Sequence, residues 1–431
     1  MKMKIKKICL YILLAGLSAA QVWGQQYQKN IQDLKEQAPK VFIDCGMCDI
    51  DYIRTEITFV NYVRDRKEAR IHILITTQST AGGGQEYTLS FIGQHEFDGI
   101  NDSHKYFTEK TATRDEIREG LVEALKIGLM SYVAKTPIAF RIRVDCTPLE
   151  KTEAVHDRWN SWVFSISGSG LFNGEESYSQ GSWRGSISAG RITADLKINM
   201  SFAGYQSRDT FSLNGDTLES TSDRMNFSGL FVKSLGEHWS AGAYIRAESS
   251  TYDNIAVSLS PAPAIEFNLF PYSQSTRRQF RLLYRIGIQA VRYREETIFA
   301  ETAENLFHES LSATLNLREK WGTVSTTLSG SHYFHDFSKY RLNLFTVLNL
   351  QLVKGLSFKV FGGGSRIHDQ LNLPRGEASL EEILLRRKQL ETSYNYFFSI
   401  GFSYTFGSIF TNVVNPRFGS TGYGGVSIFI H

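Results

Sequence analysis

Residues 393 to 406, SYNYFFSIGFSYTF, constrain the fold more than any other stretch of the chain. Tyr394, Tyr396, Phe398, Ile400, Phe402, Tyr404 and Phe406 occupy every second position, and Ser393, Asn395, Ser399, Gly401, Ser403 and Thr405 fill most places between them. In a strand, a period of two sends successive side chains to opposite faces, so this segment has one apolar and one small polar face. A helix of the same sequence would scatter both sets around its circumference.

The same alternation recurs from Trp159 onward. RLNLFTVLNLQLV sets Leu342, Leu344, Leu348, Leu350 and Leu352 against Arg341, Asn343, Asn349 and Gln351; RQFRLLYRIGIQA sets Phe280, Leu282, Tyr284, Ile286 and Ile288 against Gln279, Arg281, Arg285 and Gln289. Leu196, Ile198 and Met200 oppose Asp195, Lys197 and Asn199. About twelve such segments of roughly 10 to 16 residues follow one another, long enough to cross a bilayer when tilted. Soluble sandwiches alternate too, and the connections separate the two cases. GRIT, LGEH, YSQST, KWGT and VKG are tight turns expected at one end. QSRDTFSLNGDTLESTSD, REETIFAETAENL and HDQLNLPRGEASLEEILLRRKQLE are long loops expected at the other. This asymmetry is that of an outer-membrane barrel. The proline-bearing SPAPA at 260–264 is its weakest strand, because proline removes ladder donors.

The compartment follows from the other terminus. Lys2, Lys4, Lys6 and Lys7 precede an apolar run from Ile8 to Ala20 and a small-residue cleavage site before Gln25, the pattern of an export signal over residues 1–24. Cys9 opens the apolar run instead of following it, which argues against a lipid anchor there. The remaining sequence has no apolar stretch long enough for a membrane helix. A net charge of +3 gives no reason to expect a nucleic-acid partner. Aromatic residues at 13%, with 35 glycines against 8 prolines, fit an all-β body.

Residues 25–150 read differently, as a small α/β domain. KVFIDC is a short strand, Asp49 can cap a helix carrying Ile53, Ile57 and Val60, and ARIHILITTQST and GQEYTLSFIGQ form a hairpin around AGGG. Thr113 to Glu116 is a capping box, behind which Ile117, Leu121, Leu125, Leu129 and Val133 define an amphipathic helix. PIAFRIRVDC is expected as the last strand, parallel to KVFID. The glycines at 82–84 lack the Lys-Ser/Thr and helix of a phosphate loop. The expected organisation is mainly β: a transmembrane antiparallel barrel at 159–408 of about twelve strands, preceded by the periplasmic α/β domain. A periplasmic tail at 409–431 would follow, with GGVSIFIH as a possible thirteenth strand.

Motifs for catalysis are missing: there is no G-x-S-x-G, no H-E-x-x-H and no Walker loop, so no enzyme and no cofactor is expected. His332 and His335 fall three apart, on opposite faces of a strand, and make a poor metal pair. Asp195, Lys197, Arg246, Glu248, Glu266, Arg281, Arg285, Arg341 and Lys359 all fall on polar faces and are expected to line the lumen. Both signs are present, so they serve equally as paired filling or as a selective pore. The segment SLEEILLRRKQL, with a capping box at Ser379 to Glu382, is an expected loop helix.

IEFNLFPYSQSTRRQFRLLYRIG and FSYTFGSIFTNVVNPRFG make the barrel half resemble the salt-induced outer-membrane protein family. The order of elements before it is similar to periplasmic modules such as the TolB amino-terminal domain and the curli-secretion lipoprotein. Ser399, Gly401, Tyr404 and Phe406 also resemble the terminal signal by which bacterial barrels are recognised for assembly, although here more chain follows. These likenesses imply a barrel with a periplasmic module and no defined reaction. The resulting expectation is a non-enzymatic outer-membrane protein, in contact with lipid, whose periplasmic domain docks partners in an envelope assembly. Its rival is a channel for small polar or anionic solutes lined by Arg281, Arg285 and Arg341.

The exported chain has three cysteines, Cys45, Cys48 and Cys146. An oxidising compartment favours a disulfide, either Cys45–Cys48 or one of these with Cys146. A redox pair or a zinc site at the C-x-x-C remains open on sequence grounds.

Overall fold

A computed structural model describes residues 38–80, 83–143, 157–213, 216–376, 391–408, 410–412, 414 and 417. The export signal, Cys146, the 379–390 segment and GGVSIFIH lie outside them. The chain divides into two compact units. One takes the N-terminal region, apart from the 78–85 hairpin tip, together with the chain after Tyr404; the other takes that tip and residues 154–404.

The N-terminal unit holds β1 (Lys40–Asp44), α1 (Ile50–Glu56), β2 (Asn61–Tyr62), β3 (Ile71–Ser79), β4 (Gln85–Gly93), β5 (Asn101–Thr108) and α2 (Arg114–Val133). Its sheet order is β2-β1-β3-β4-β5, with β1 parallel to both neighbours. The Asp49 side chain accepts from the Tyr52 N–H at 3.0 Å, and Thr113 and Glu116 complete a reciprocal capping box, so both helices start where the sequence places them. Leu121, Leu125, Leu129 and Val133 of α2 are buried with Val41, Ile71, Ile73, Leu89 and Phe91 of the sheet. Gly128 is required there: a Cβ would lie 2.1 Å from the Phe91 ring. Gly83 takes φ +76° and donates its N–H to Thr80 O at 3.0 Å, a conformation that suits glycine.

Two expectations for this unit need correction, and its edge strand has no counterpart in the sequence reading. PIAFRIRVDC is not a strand where it is described: Pro137–Arg141 form a 3-10 turn, with proline at its start removing a donor. The helix after Asp49 ends at Glu56, and Ile57 and Val60 are buried beyond it. NDSHKYFT, too polar to be read as a strand, is β5 at the edge of the sheet, where one face remains wet.

The second unit is one antiparallel sheet of twelve strands in chain order: β6 (Trp162–Gly174), β7 (Tyr178–Ile192), β8 (Leu196–Leu213), β9 (Asp216–Ser234), β10 (Trp239–Ser250), β11 (Ile255–Asn268), β12 (Arg278–Tyr293), β13 (Ala303–Glu319), β14 (Gly322–Tyr333), β15 (Tyr340–Val353), β16 (Leu356–Ile367) and β17 (Tyr394–Tyr404). Its two faces differ as the alternation requires. Ile166, Phe202, Leu259, Ile286, Leu311, Leu328, Leu344 and the Tyr394-to-Phe402 series are exposed on one side. The other side carries hydrogen-bonded polar ladders, such as Ser365–Asn343–Ser329 and Ser325–Asn316–Gln279. The polar face is concave, because one cavity is lined by strands β8 to β13 together.

Connection lengths are less asymmetric than expected. QSRDTFSLNGDTLESTSD is not a loop: its residues continue the β8–β9 ladder out to Leu213↔Asp216, since Thr, Phe, Leu and Ser in alternation favour pairing over irregular chain. The YSQST turn is part of a nine-residue connection, 269–277, containing a 3-10 turn at Tyr272–Gln274. Residues 193–195, 235–238, 320–321 and 354–355 are tight turns at the same end. Trp162, Trp239 and Trp321 also lie at that end, with Trp239 against Phe267 at 4.7 Å, a girdle suited to a membrane interface.

Candidate functional site

The site grows out of the weakest strand. β11 pairs with β10 without a break across SPAPA, from Leu259↔Ala247 to Ala264↔Gly242. Its ladder to β12, however, is interrupted between Leu259↔Ala290 and Ala264↔Arg285. Pro261 and Pro263 have no N–H to give, so the missing rungs fall where the sequence removes the donors. On β12 the gap faces Gly287, where a Cβ would stand 2.9 Å from that of Ala262 and 3.1 Å from His308 Cε1. Gly287 is thus closely approached by β11 and β13, while Ser260 and Ala262 present small side chains to the space beside them.

A cavity of about 630 Å³ lies there on the concave face. Tyr244, Arg246 and Glu248 line it from β10, Ser260 and Ala262 from β11, Arg285 and Gln289 from β12, and His308 from β13. Arg285 donates from Nε to Ser310 Oγ at 3.1 Å, and its guanidinium carbon lies 5.3 Å from the Tyr244 ring centroid. Among the described residues, neither Arg246 nor Arg285 has a carboxylate partner. Gln289 donates to Ser258 Oγ at 3.1 Å, and His308 Nδ1 is buried with no partner.

The other predicted lumen residues are placed differently. Arg281 lies 3.8 Å from Glu266, which also accepts from Tyr272 at 2.9 Å. Arg341 grips Asp369 with Nε at 2.9 and 3.0 Å. Arg341 is thus neutralised, Arg281 has an acid nearby but its Nε is buried without a hydrogen-bond partner, and the three arginines differ in how far their charge is compensated. Lys197 and Lys359 stand on the polar face of β8 and β16. Asp195 is a correction: it sits in the 193–195 turn, 3.9 Å from Lys233 and largely exposed.

The Arg341–Asp369 pair fixes a loop that covers part of the concave face. Leu371 packs on Ile255, Val291, Tyr293 and Leu306; Asn254 donates to Asn372 O at 3.1 Å, and Thr297 bridges Pro374. A second cavity of about 260 Å³ lies beneath this loop and shares Glu248 and Gln289 with the first.

Two clusters escaped sequence reading. On the apolar face, Glu309 accepts from Tyr284 at 2.5 Å and contacts His332 Nε2 at 2.8 Å. The signal was a glutamate at an apolar position of β13, between Phe307 and Leu311. His332 thus has a carboxylate partner, and His335 lies beyond the strand end. In the N-terminal unit, Asp44 lies 3.4 Å from the fully buried His72 and 3.3 Å from Arg66. Burial pushes the Asp44 carboxyl up, but the His72 hydrogen bond and the Arg66 charge outweigh it and hold it below the usual range. Beside it Cys45 and Cys48 are joined by a disulfide, Cα atoms 5.6 Å apart. Among the described residues there is no group of metal-ligating side chains.

No family model and no curated protein matches this chain. Among solved structures it is similar to the NanC porin, at 12% identity and a TM-score of 0.27 over 56% of this chain and 99% of that one. It is also similar to the translocator domain of the autotransporter NalP from Neisseria meningitidis, at 10% identity and a TM-score of 0.22, over 57% and 87%. Superposition this loose carries no argument about activity, and the fold stands on its own ladders: mainly β, with a twelve-stranded antiparallel sheet and a small α/β sheet.

Proposed function

We propose that this chain is a non-enzymatic outer-membrane β-barrel that passes small polar solutes, with its N-terminal domain in the periplasm. One observation carries the reading: twelve long antiparallel strands, consecutive in the sheet, expose their apolar residues on one face and keep a polar, cavity-bearing face on the other. Water on both faces would leave that apolar surface unsatisfied, whereas lipid on one and solvent on the other fits it. Export and the tryptophan girdle agree with this location.

The purified full-length protein in planar bilayers should give discrete conductance steps; a silent membrane at high protein load would overturn passage. Epitope tags test the arrangement. A tag after Tyr252 should be reached by antibody on intact cells, whereas tags after Gly236 or in the N-terminal domain should not.

A second reading, a docking role in an envelope assembly, has its own observation. β5 ends the N-terminal sheet and alternates exposed with half-buried residues, an edge that another strand can extend. Cross-linking from positions on β5 in intact cells should then capture a protein partner of one size, and no adduct would remove this reading.

A further inference from the structure

Charge on the concave face is unevenly compensated. Arg341 is held by Asp369 and Arg281 stands 3.8 Å from Glu266, yet Arg246 and Arg285, on strands two apart and lining one cavity, face no carboxylate partner among the described residues. Glu248 is the only acid in that lining, so the cavity keeps one net positive charge. Arg285 is already oriented, by Ser310 on one side and the Tyr244 ring on the other, which reduces the entropy lost when it binds. Ser260 and Ala262, in the interrupted part of the β11–β12 ladder, present only small side chains to this cavity. Hydroxyl and amide groups of Ser201, Ser260 and Gln289 supply donors and acceptors around the rest of the wall.

We propose that Arg246 and Arg285 form a binding site for a small polyhydroxylated monocarboxylate. Guanidinium groups match a carboxylate in charge and geometry, the polar wall matches hydroxyls, and the Tyr244 ring offers a flat apolar surface. Glu248 disfavours a dianion such as phosphate, and about 630 Å³ lies within the roughly 300–1,000 Å³ range of small-molecule sites. The inference rests on the concave face being the lumen, and it names the class of solute held there.

Calorimetry on the full-length protein in detergent, with gluconate as probe and sorbitol as its uncharged counterpart, tests the site. Gluconate should bind and sorbitol should not; inorganic phosphate should bind more weakly than gluconate. Arg246→Gln and Arg285→Gln should each weaken gluconate binding about tenfold or more, the size expected for one charged hydrogen bond. Arg285→Lys should recover part of the loss, which separates lost charge from lost folding. Arg281→Gln, at an arginine outside the cavity lining, should leave binding within about twofold. Equal binding of sorbitol and gluconate, an Arg281→Gln effect as large as the other two, or no gluconate binding would overturn the site. Binding by a protein that is silent in bilayers would remove passage and keep the site; conductance without binding would do the reverse.

Discussion

The two units use their apolar residues in opposite ways. In the N-terminal domain, Leu89, Leu125, Val133 and Phe91 have at most a trace of exposed surface, and the helix–sheet interface accounts for them. In the twelve-stranded sheet, Ile400, Phe402 and Ile166 are at least 66% exposed, and what lies inside is serine, asparagine, arginine and glutamate. Hydrophobicity by itself therefore says little about where a residue ends up. Its period does: 3.6 or mixed with small residues in the first unit, two in the second. An inside-out arrangement is stable only if the surroundings of the second unit are apolar, which is why the outward face defines the environment of this protein.

Substitutions that treat the units alike should break this contrast. Leu125→Ala should cost the N-terminal domain about 2–5 kcal/mol, a cavity in a sealed core, whereas Leu344→Ala on the outer face should cost under about 1. Urea titration followed by domain and sheet probes checks both, and similar losses would deny the difference. Charge sharpens the comparison. Ile400→Arg should lower the stability of the sheet in lipid vesicles by about 2–4 kcal/mol near the bilayer centre, and much less in detergent of open structure. Equal effects in both would mean that residue 400 faces no lipid.

A smaller effect belongs to the domain alone. Asp44 has a depressed folded-state pKa, so its contribution is present above the unfolded value near 4 and is lost as pH falls through the folded value. The domain should lose stability on acidification below about pH 4, and Asp44→Asn should remove that dependence while lowering stability at neutral pH. The smallest expected change is Thr113→Ala, about 1 kcal/mol from the loss of one side of the capping box, seen as fraying at the start of α2 by hydrogen exchange.

How far the sequence could be read follows from the same contrast. Alternation found the closing strand, the polar and apolar faces and the number of strands, because in a sheet with unlike surroundings every side chain is sorted by the pleat. It failed where ladders and loops have the same composition. Residues 206–223, polar and rich in threonine and serine, pair out to the tip of the hairpin. β5 was invisible because half of its residues meet water and the rest are aromatic or small. Charges were found but not their pairing: Arg281 and Arg285 have the same parity on one strand, and only three-dimensional neighbours tell an arginine beside an acid from an available one. Glu266 lies 15 positions before Arg281 and Asp369 28 positions after Arg341, so spacing carries no hint of which acid serves which base.

The end of the chain has a further consequence. Thr411 donates its N–H to Tyr62 O at 2.9 Å, Asn412 Oδ1 accepts from the Tyr62 N–H, Val63 bridges Phe410, and Arg64 holds the Phe406 and Ser408 carbonyls. An edge laid down among the first residues made is thus completed by residues some 350 positions later. The full set of bonds on β2 therefore forms only once the residues that follow β17 are in place, and their loss would leave the β2 edge bare, the state in which a sheet edge pairs with other chains.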